Sequence, residues 1–162
     1  MFIRKCVAVL GVAAGPAMAD SHVTGDAAAG EAEFNRQCVS CHVVRSADGA
    51  TFAGRNARTG PNLHGIAGRT VGTVDGFRYG NSIVAAGEAG AIWNEENFIG
   101  YVQSPTDWLR EKLDDRRARG KMSYRVREEQ QAKDIYAYLA TFSDPDELMK
   151  AIEAGADNEI NQ

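Results

Sequence analysis

Apolar residues recur at helical spacing in several stretches of this chain and alternate at strand spacing in none. The clearest stripe is Ile135, Tyr138, Leu139 and Phe142, at i, i+3, i+4 and i+7, which predicts a helix over residues 127–141. Phe98, Tyr101 and Val102 form a second stripe. Asn94 precedes it as an N-cap, Glu95 and Glu96 occupy the first turn where the helix dipole favours acids, and Ser104-Pro105 ends it. A further helix is expected over 107–113 and a short one over 82–86. Near the front, Asp26 caps a helix predicted over 27–37, with Gly30 and Phe34 four apart on one face. Residues 44–73 are rich in Gly, Arg, Asn and Thr with little periodicity and read as a long loop. The pattern is that of an all-α domain of about four to five helices joined by long loops. After Ser143 comes a separate tail, in which Asp144-Pro145 marks a helix start and Leu148, Met149 and Ile152 share a face.

The 162 residues suffice for one modest domain. Residues 1–19 have the build of a secretory leader. Arg4 and Lys5 form a basic start, an apolar run follows from Cys6 to Ala14, and Ala17-Met18-Ala19 is an A-x-A cleavage site. That run is well short of the roughly 20 residues that cross a bilayer. The expectation is cleavage after Ala19 and an exported protein without stable membrane insertion; an uncleaved tether is the alternative. The organisation is then a leader (1–19), a body (20–142) and an acidic tail (143–162). Cleavage removes Cys6 and leaves Cys38 and Cys41 as the mature cysteines.

Charge is uneven. The formal net charge is −4. The tail alone holds six acids against Lys150, whereas residues 110–127 carry eight basic residues against Glu111, Asp114 and Asp115. This balance speaks against bulk nucleic-acid binding. It leaves a local basic region that is either a docking face for acidic partners or an ordinary solvated face.

Chemistry concentrates in Cys38-Val39-Ser40-Cys41-His42. Two thiols separated by two residues can add to the two vinyl groups of one haem, and the adjacent imidazole can then sit under the iron. A bare C-x-x-C is also a thioredoxin-type redox pair or half of a zinc site. The first wants the pair after a strand, and here it follows a predicted helix. The second wants two more ligands at motif spacing, and His22 and His64 sit in no second cluster. For a ligand on the opposite face the mature chain offers Met122, Met149, His22 and His64. Met122 follows a Gly120-Lys121 turn just before the last helix, beyond all the loops. A lone Met is otherwise core filler, but Lys121-Met122-Ser123-Tyr124 is a polar segment in which a buried Met needs a partner.

The chain resembles the class I c-type cytochromes, in particular the long-loop bacterial c2 type. The likeness rests on Gly30 and Phe34 before Cys38–His42; on Thr59-Gly60-Pro61-Asn62-Leu63-His64-Gly65 and Gly68-Arg69; on Phe77, Tyr79 and Trp93; and on Lys121-Met122 and Asp134-Ile135-Tyr136-Ala137-Tyr138-Leu139. The stretch from Leu109 to Asp115 is similar to the extra loop of the c2 group, and the acidic tail is longer than the family carries. The resemblance implies a class I cytochrome c fold around one covalent haem c, with His42 and Met122 as axial ligands. Pro61 would hold the free ring nitrogen of His42. Arg69, Tyr79 and Trp93 would bond or screen the propionates; otherwise they are a surface charge and two core aromatics. His64 reads as structural.

The leading expectation is a monomeric periplasmic one-electron carrier, not an enzyme. Lys112, Lys121 and Arg125 would steer docking. The partners implied by the family are the quinol–cytochrome c reductase as donor and a photosynthetic reaction centre or terminal cytochrome oxidase as acceptor. Two competing readings are a small peroxidase or gas-binding haem protein, which needs an open sixth position, and an assembly module that docks through its tail.

Overall fold

The first and last long helices cross with their backbones almost touching. In the computed structural model, which describes residues 23–149 and Glu153, helix α1 spans Ala27–Gln37 and helix α5 spans Glu129–Ala140. Gly30 sits at the crossing. A Cβ there would lie 1.8 Å from the carbonyl oxygen of Asp134 and 2.9 Å from Cβ of Tyr138, so only glycine permits this approach. One turn further on, Phe34 is fully buried and its ring meets that of Tyr138 at 5.6 Å between centroids. Asp26 ties the start of α1 to the same partner. Its carboxylate accepts from the amides of Ala28 and Ala29 at 2.8 and 3.0 Å, and its own amide donates to Asp134 Oδ1 at 2.8 Å. The N-terminal part of the domain is thereby closed onto its C-terminal part.

Three further helices complete the shell: α2 (Asn81–Glu88), α3 (Glu95–Gln103) and α4 (Pro105–Leu113). As expected, Asn94 caps α3, its Oδ1 accepting from the Asn97 amide at 2.8 Å, and Phe98, Tyr101 and Val102 are buried. α4 starts two residues earlier than the sequence pattern suggests, because Pro105, which ends α3, occupies the first turn of α4, where its fixed φ and missing N–H carry no cost. Ser104 serves both helices: its amide closes the last turn of α3 on Gly100, and its hydroxyl donates to Asp107 Oδ2 at 2.6 Å. α2 runs through Gly87, beyond the expected end at Ala86, since it lies against the backbone of Val71.

The loop over 44–73 differs from the strand-free expectation. It opens with an antiparallel pair, β1 (Val44–Arg45) and β2 (Thr51–Ala53), in which Val44 faces Ala53 and Arg45 faces Thr51. Strands of two and three residues are too short for alternation to register in a sequence. Asn62 completes the pairing with its side chain: Oδ1 accepts from the amide of Arg45 at 3.0 Å and Nδ2 donates to its carbonyl at 2.6 Å. Further on, Val71 bonds to Ala91, Gly68 to Trp93 and Trp93 to Arg69 through backbone groups. The protein therefore holds much of this loop itself. Residues 145–149 add a further helical stretch whose Leu148 packs on the core, so the start of the tail is not separate from the domain. The leader expected over 1–19, His22 and the tail face formed with Ile152 lie outside the described residues.

Gly30→Ala should lower the stability of the folded protein by about 2 kcal/mol or more, the usual cost of forcing atoms into a packed contact. Glu31→Ala, one exposed position away, should stay within about 0.5 kcal/mol. Equal urea midpoints for the two variants would show that the crossing tolerates a side chain.

Candidate functional site

α1 ends by delivering the C-x-x-C-H stretch to the interior. The amide of Cys38 bonds back to Phe34 O at 2.8 Å, and the amides of Cys41 and His42 both bond to Cys38 O, at 3.0 and 2.9 Å. This tight turn turns Cys38, Cys41 and His42 onto one wall of a cavity, with both cysteines free thiols. The cavity has a volume of about 200 Å³. Its lining is mostly apolar and includes Leu63, Ile66, Ile83, Phe98, Val126 and Leu139. Met122 reaches it from the segment before α5, half-buried against the core.

His42 is held in one orientation. Its Nδ1 lies 2.9 Å from the carbonyl oxygen of Pro61. A carbonyl can only accept, so Nδ1 carries the proton and Nε2 keeps its lone pair. Gly60 lies flat against the ring: a Cβ there would fall 2.2 Å from Cε1. The Gly60 amide also bonds to Cys41 O at 2.8 Å, which locks the loop onto the turn. Burial pushes the imidazole's pKa down, against the pull of the Pro61 bond, and so favours the neutral ligand form.

Burial, reinforced by Cys41 and Glu33, pushes the Cys38 thiol up to about 12. A thioredoxin-type pair needs the opposite, a thiol lowered towards the thiolate at neutral pH. Zinc fits no better: among the described residues no three His, Cys, Asp or Glu side chains gather as a metal cluster. Two thiols, an imidazole with a free Nε2 and a thioether around an apolar enclosure fit a haem group.

Other expected residues divide. Tyr79, Trp93 and Lys121 line the cavity. Trp93 is clamped between Trp108, stacked at 5.7 Å, and the hydroxyl of Tyr136, which donates to its carbonyl at 3.0 Å. Arg69, Lys112 and Arg125 are not on the wall. Arg69 Nε donates to Gly65 O at 2.9 Å, and its charge acts on Tyr79, countering the rise in pKa that burial causes there. Lys112 Nζ sits 5.9 Å above the ring of Trp108, and Arg125 is exposed. His64 stacks on Phe52 at 5.9 Å, away from the cavity, in keeping with a structural role. Met149 is 47 % exposed and outside the cavity. Sequence reasoning passed over Gln37 and Tyr124, which also line the site; neither belongs to a local motif. Among the described residues no helix is long and apolar enough to cross a membrane.

Comparison with known proteins agrees with this geometry. No family model matches the chain. Cytochrome c2 of Rhodovulum adriaticum is 56% identical over 119 residues, which is 74% of this chain and 94% of that protein. Cytochrome c2 of Cereibacter sphaeroides is 46% identical over 138 residues, 85% of this chain and 92% of the relative. The crystal structure of cytochrome c2 from Rhodobacter sphaeroides superposes with a TM-score of 0.72 at 46% identity, covering 75% of this chain and 99% of that one. With this likeness in sequence and fold, the chain belongs to the class I cytochrome c2 family and is an electron-transfer protein rather than an enzyme.

Proposed function

We propose that the protein is a periplasmic one-electron carrier holding one covalent haem c. It would run between the quinol–cytochrome c reductase and a photosynthetic reaction centre or terminal oxidase. The observation that carries the reading is the convergence of Cys38, Cys41, His42 and Met122 on one apolar cavity, with His42 already fixed by Pro61. Cys38 and Cys41 would hold the group through thioether links, which the addition of each S–H to a vinyl group would form without an oxidant. Haem, when bound, supplies the one-electron couple. Nε2 of His42 and the sulfur of Met122 would hold its iron. A thioether is a soft ligand that favours the reduced metal and raises the potential. With both residues on the iron, oxygen and peroxide would be kept off it, in keeping with electron transfer rather than bond-making chemistry.

The remaining wall residues keep water out and meet the polar edge of the group. Tyr79 and Trp93 on the wall would screen that edge, and Arg69, which stands off the wall with its Nε on Gly65 O, would have its other donors left to turn towards the propionates. Docking is assigned to the basic side of the cavity, with Lys121 on the wall and Lys112 and Arg125 further out. Charges there steer encounter more than they add affinity. Export rests on the leader pattern of residues 1–19.

Met122→Ala should retain the covalent group but lose the sulfur–iron absorption band in the ferric spectrum. The potential should drop by on the order of 0.1 V or more, within the roughly 0.8 V that axial ligands control, and the reduced protein should take up carbon monoxide. An unchanged potential with no carbon monoxide binding would remove Met122 from the ligand set.

The second-order rate with purified reductase or reaction centre should fall about tenfold or more as ionic strength rises from about 0.01 to about 0.15 M, where the screening length shrinks from roughly 30 to roughly 8 Å. Neutralising Lys112 and Arg125 together should flatten that dependence and leave the visible spectrum unchanged. A rate that climbs with salt would assign docking to an acidic surface instead.

A further inference from the structure

The segment that carries Met122 has little to hold it. Among the described residues, no backbone group of residues 121–125 is hydrogen-bonded to another backbone group. The nearest anchors lie at its two ends, where the Gly120 amide donates to Thr106 Oγ1 at 3.2 Å and the Val126 amide donates to Val102 O at 2.9 Å. Between them two side chains do the holding. Lys121 Nζ donates to the carbonyls of Arg78 and Tyr79, at 3.0 and 3.1 Å. Tyr124 donates its hydroxyl to Gln37 Oε1 at 2.9 Å, across 87 positions of sequence.

The second of these bonds has a built acceptor. Gln37 is the last residue of α1 and the neighbour of Cys38. Its amide nitrogen donates to the carboxylate of Glu33, which Arg36 also grips, so the carboxamide is turned with its oxygen towards Tyr124. Both Gln37 and Tyr124 lie on the cavity wall. Yet Tyr124 is 47 % exposed, so burial alone does not fix its ring.

We propose that Tyr124 and Gln37 form a clasp that positions Met122 in the cavity by tying its segment to the end of α1. The proposal rests on the reading of Met122 as an iron ligand. Tyr124 and Gln37 are positioning residues: they act through Met122. With the clasp closed, the thioether is presented to the cavity that His42 also lines. With it open, residues 121–125 keep the Lys121 bonds, the two end anchors and the packing of Met122 on the core, and a competing ligand gains access more often. Apparent affinity for such a ligand scales with the fraction of molecules that are open.

The test uses the ferric holoprotein titrated with imidazole. Tyr124→Phe deletes one hydroxyl and keeps the ring. It should tighten imidazole binding about fivefold, the population change matching one ordinary net hydrogen bond. Gln37→Leu should do the same, and the double variant should bind no more tightly than either single, because the two changes break one bond. In a Met122→Ala background, Tyr124→Phe should have no effect. A purely structural role would shift the unfolding midpoint and leave imidazole affinity alone. The proposal is overturned if Tyr124→Phe leaves the affinity unchanged, if the single effects multiply in the double variant, or if the effect persists without Met122. A wild-type protein that lacks the sulfur–iron band and binds imidazole as tightly as Met122→Ala would overturn the ligand assignment itself, and the clasp with it.

Discussion

The close approach of α1 to α5 is the constraint on which the rest depends. Backbone contact at Gly30 brings the two helices together, and the Phe34–Tyr138 pair fills the space beside it. A helix held that rigidly ends at a defined point. The turn that follows therefore places Cys38, Cys41 and His42 on the cavity that Ile135 and Leu139 of α5 also line. Site and core share one surface. A loosened crossing would displace the thiols and the imidazole together.

Dryness then decides the chemistry. The same burial raises the pKa of the Cys38 thiol and lowers that of the His42 imidazole, which favours the neutral form of each. Neutral thiols are poor redox catalysts, but a neutral imidazole with its Nδ1 proton given to Pro61 is a ready metal ligand. One environment thus disfavours one reading of the C-x-x-C-H pattern and favours another. Of the basic residues expected to dock a partner, Lys121 lines the cavity, while Lys112 and Arg125 lie off its wall.

The two axial candidates are supported in different ways. His42 is packed on Gly60, bonded to Pro61 and braced by the Cys41–Gly60 backbone bond. Met122 hangs on a segment fastened by side chains. An asymmetry of this kind leaves the methionine side the less firmly held of the two.

Much of this was legible in the residues alone, because it is local. Caps at Asp26 and Asn94, the helical stripes of α3 and α5, and five consecutive residues from Cys38 to His42 act over a few positions each, and the structure keeps them close to where the pattern puts them. The basic region could be counted, but not its arrangement: Lys121 reaches the cavity, while Lys112 lies over Trp108 and Arg125 stands clear. The β1–β2 pair was invisible because it depends on Asn62, remote in sequence, lending its amide to Arg45. Gly60 looked like any loop glycine until the His42 ring lay against it. Tyr124 and Gln37 carry no motif and are joined only when α1 and the Met122 segment close over the same cavity. Periodicity and spacing determine which elements form and which groups carry the chemistry. Which distant groups meet, and which fall short, was decided by packing, since such bonds form only once the helices have brought their ends together.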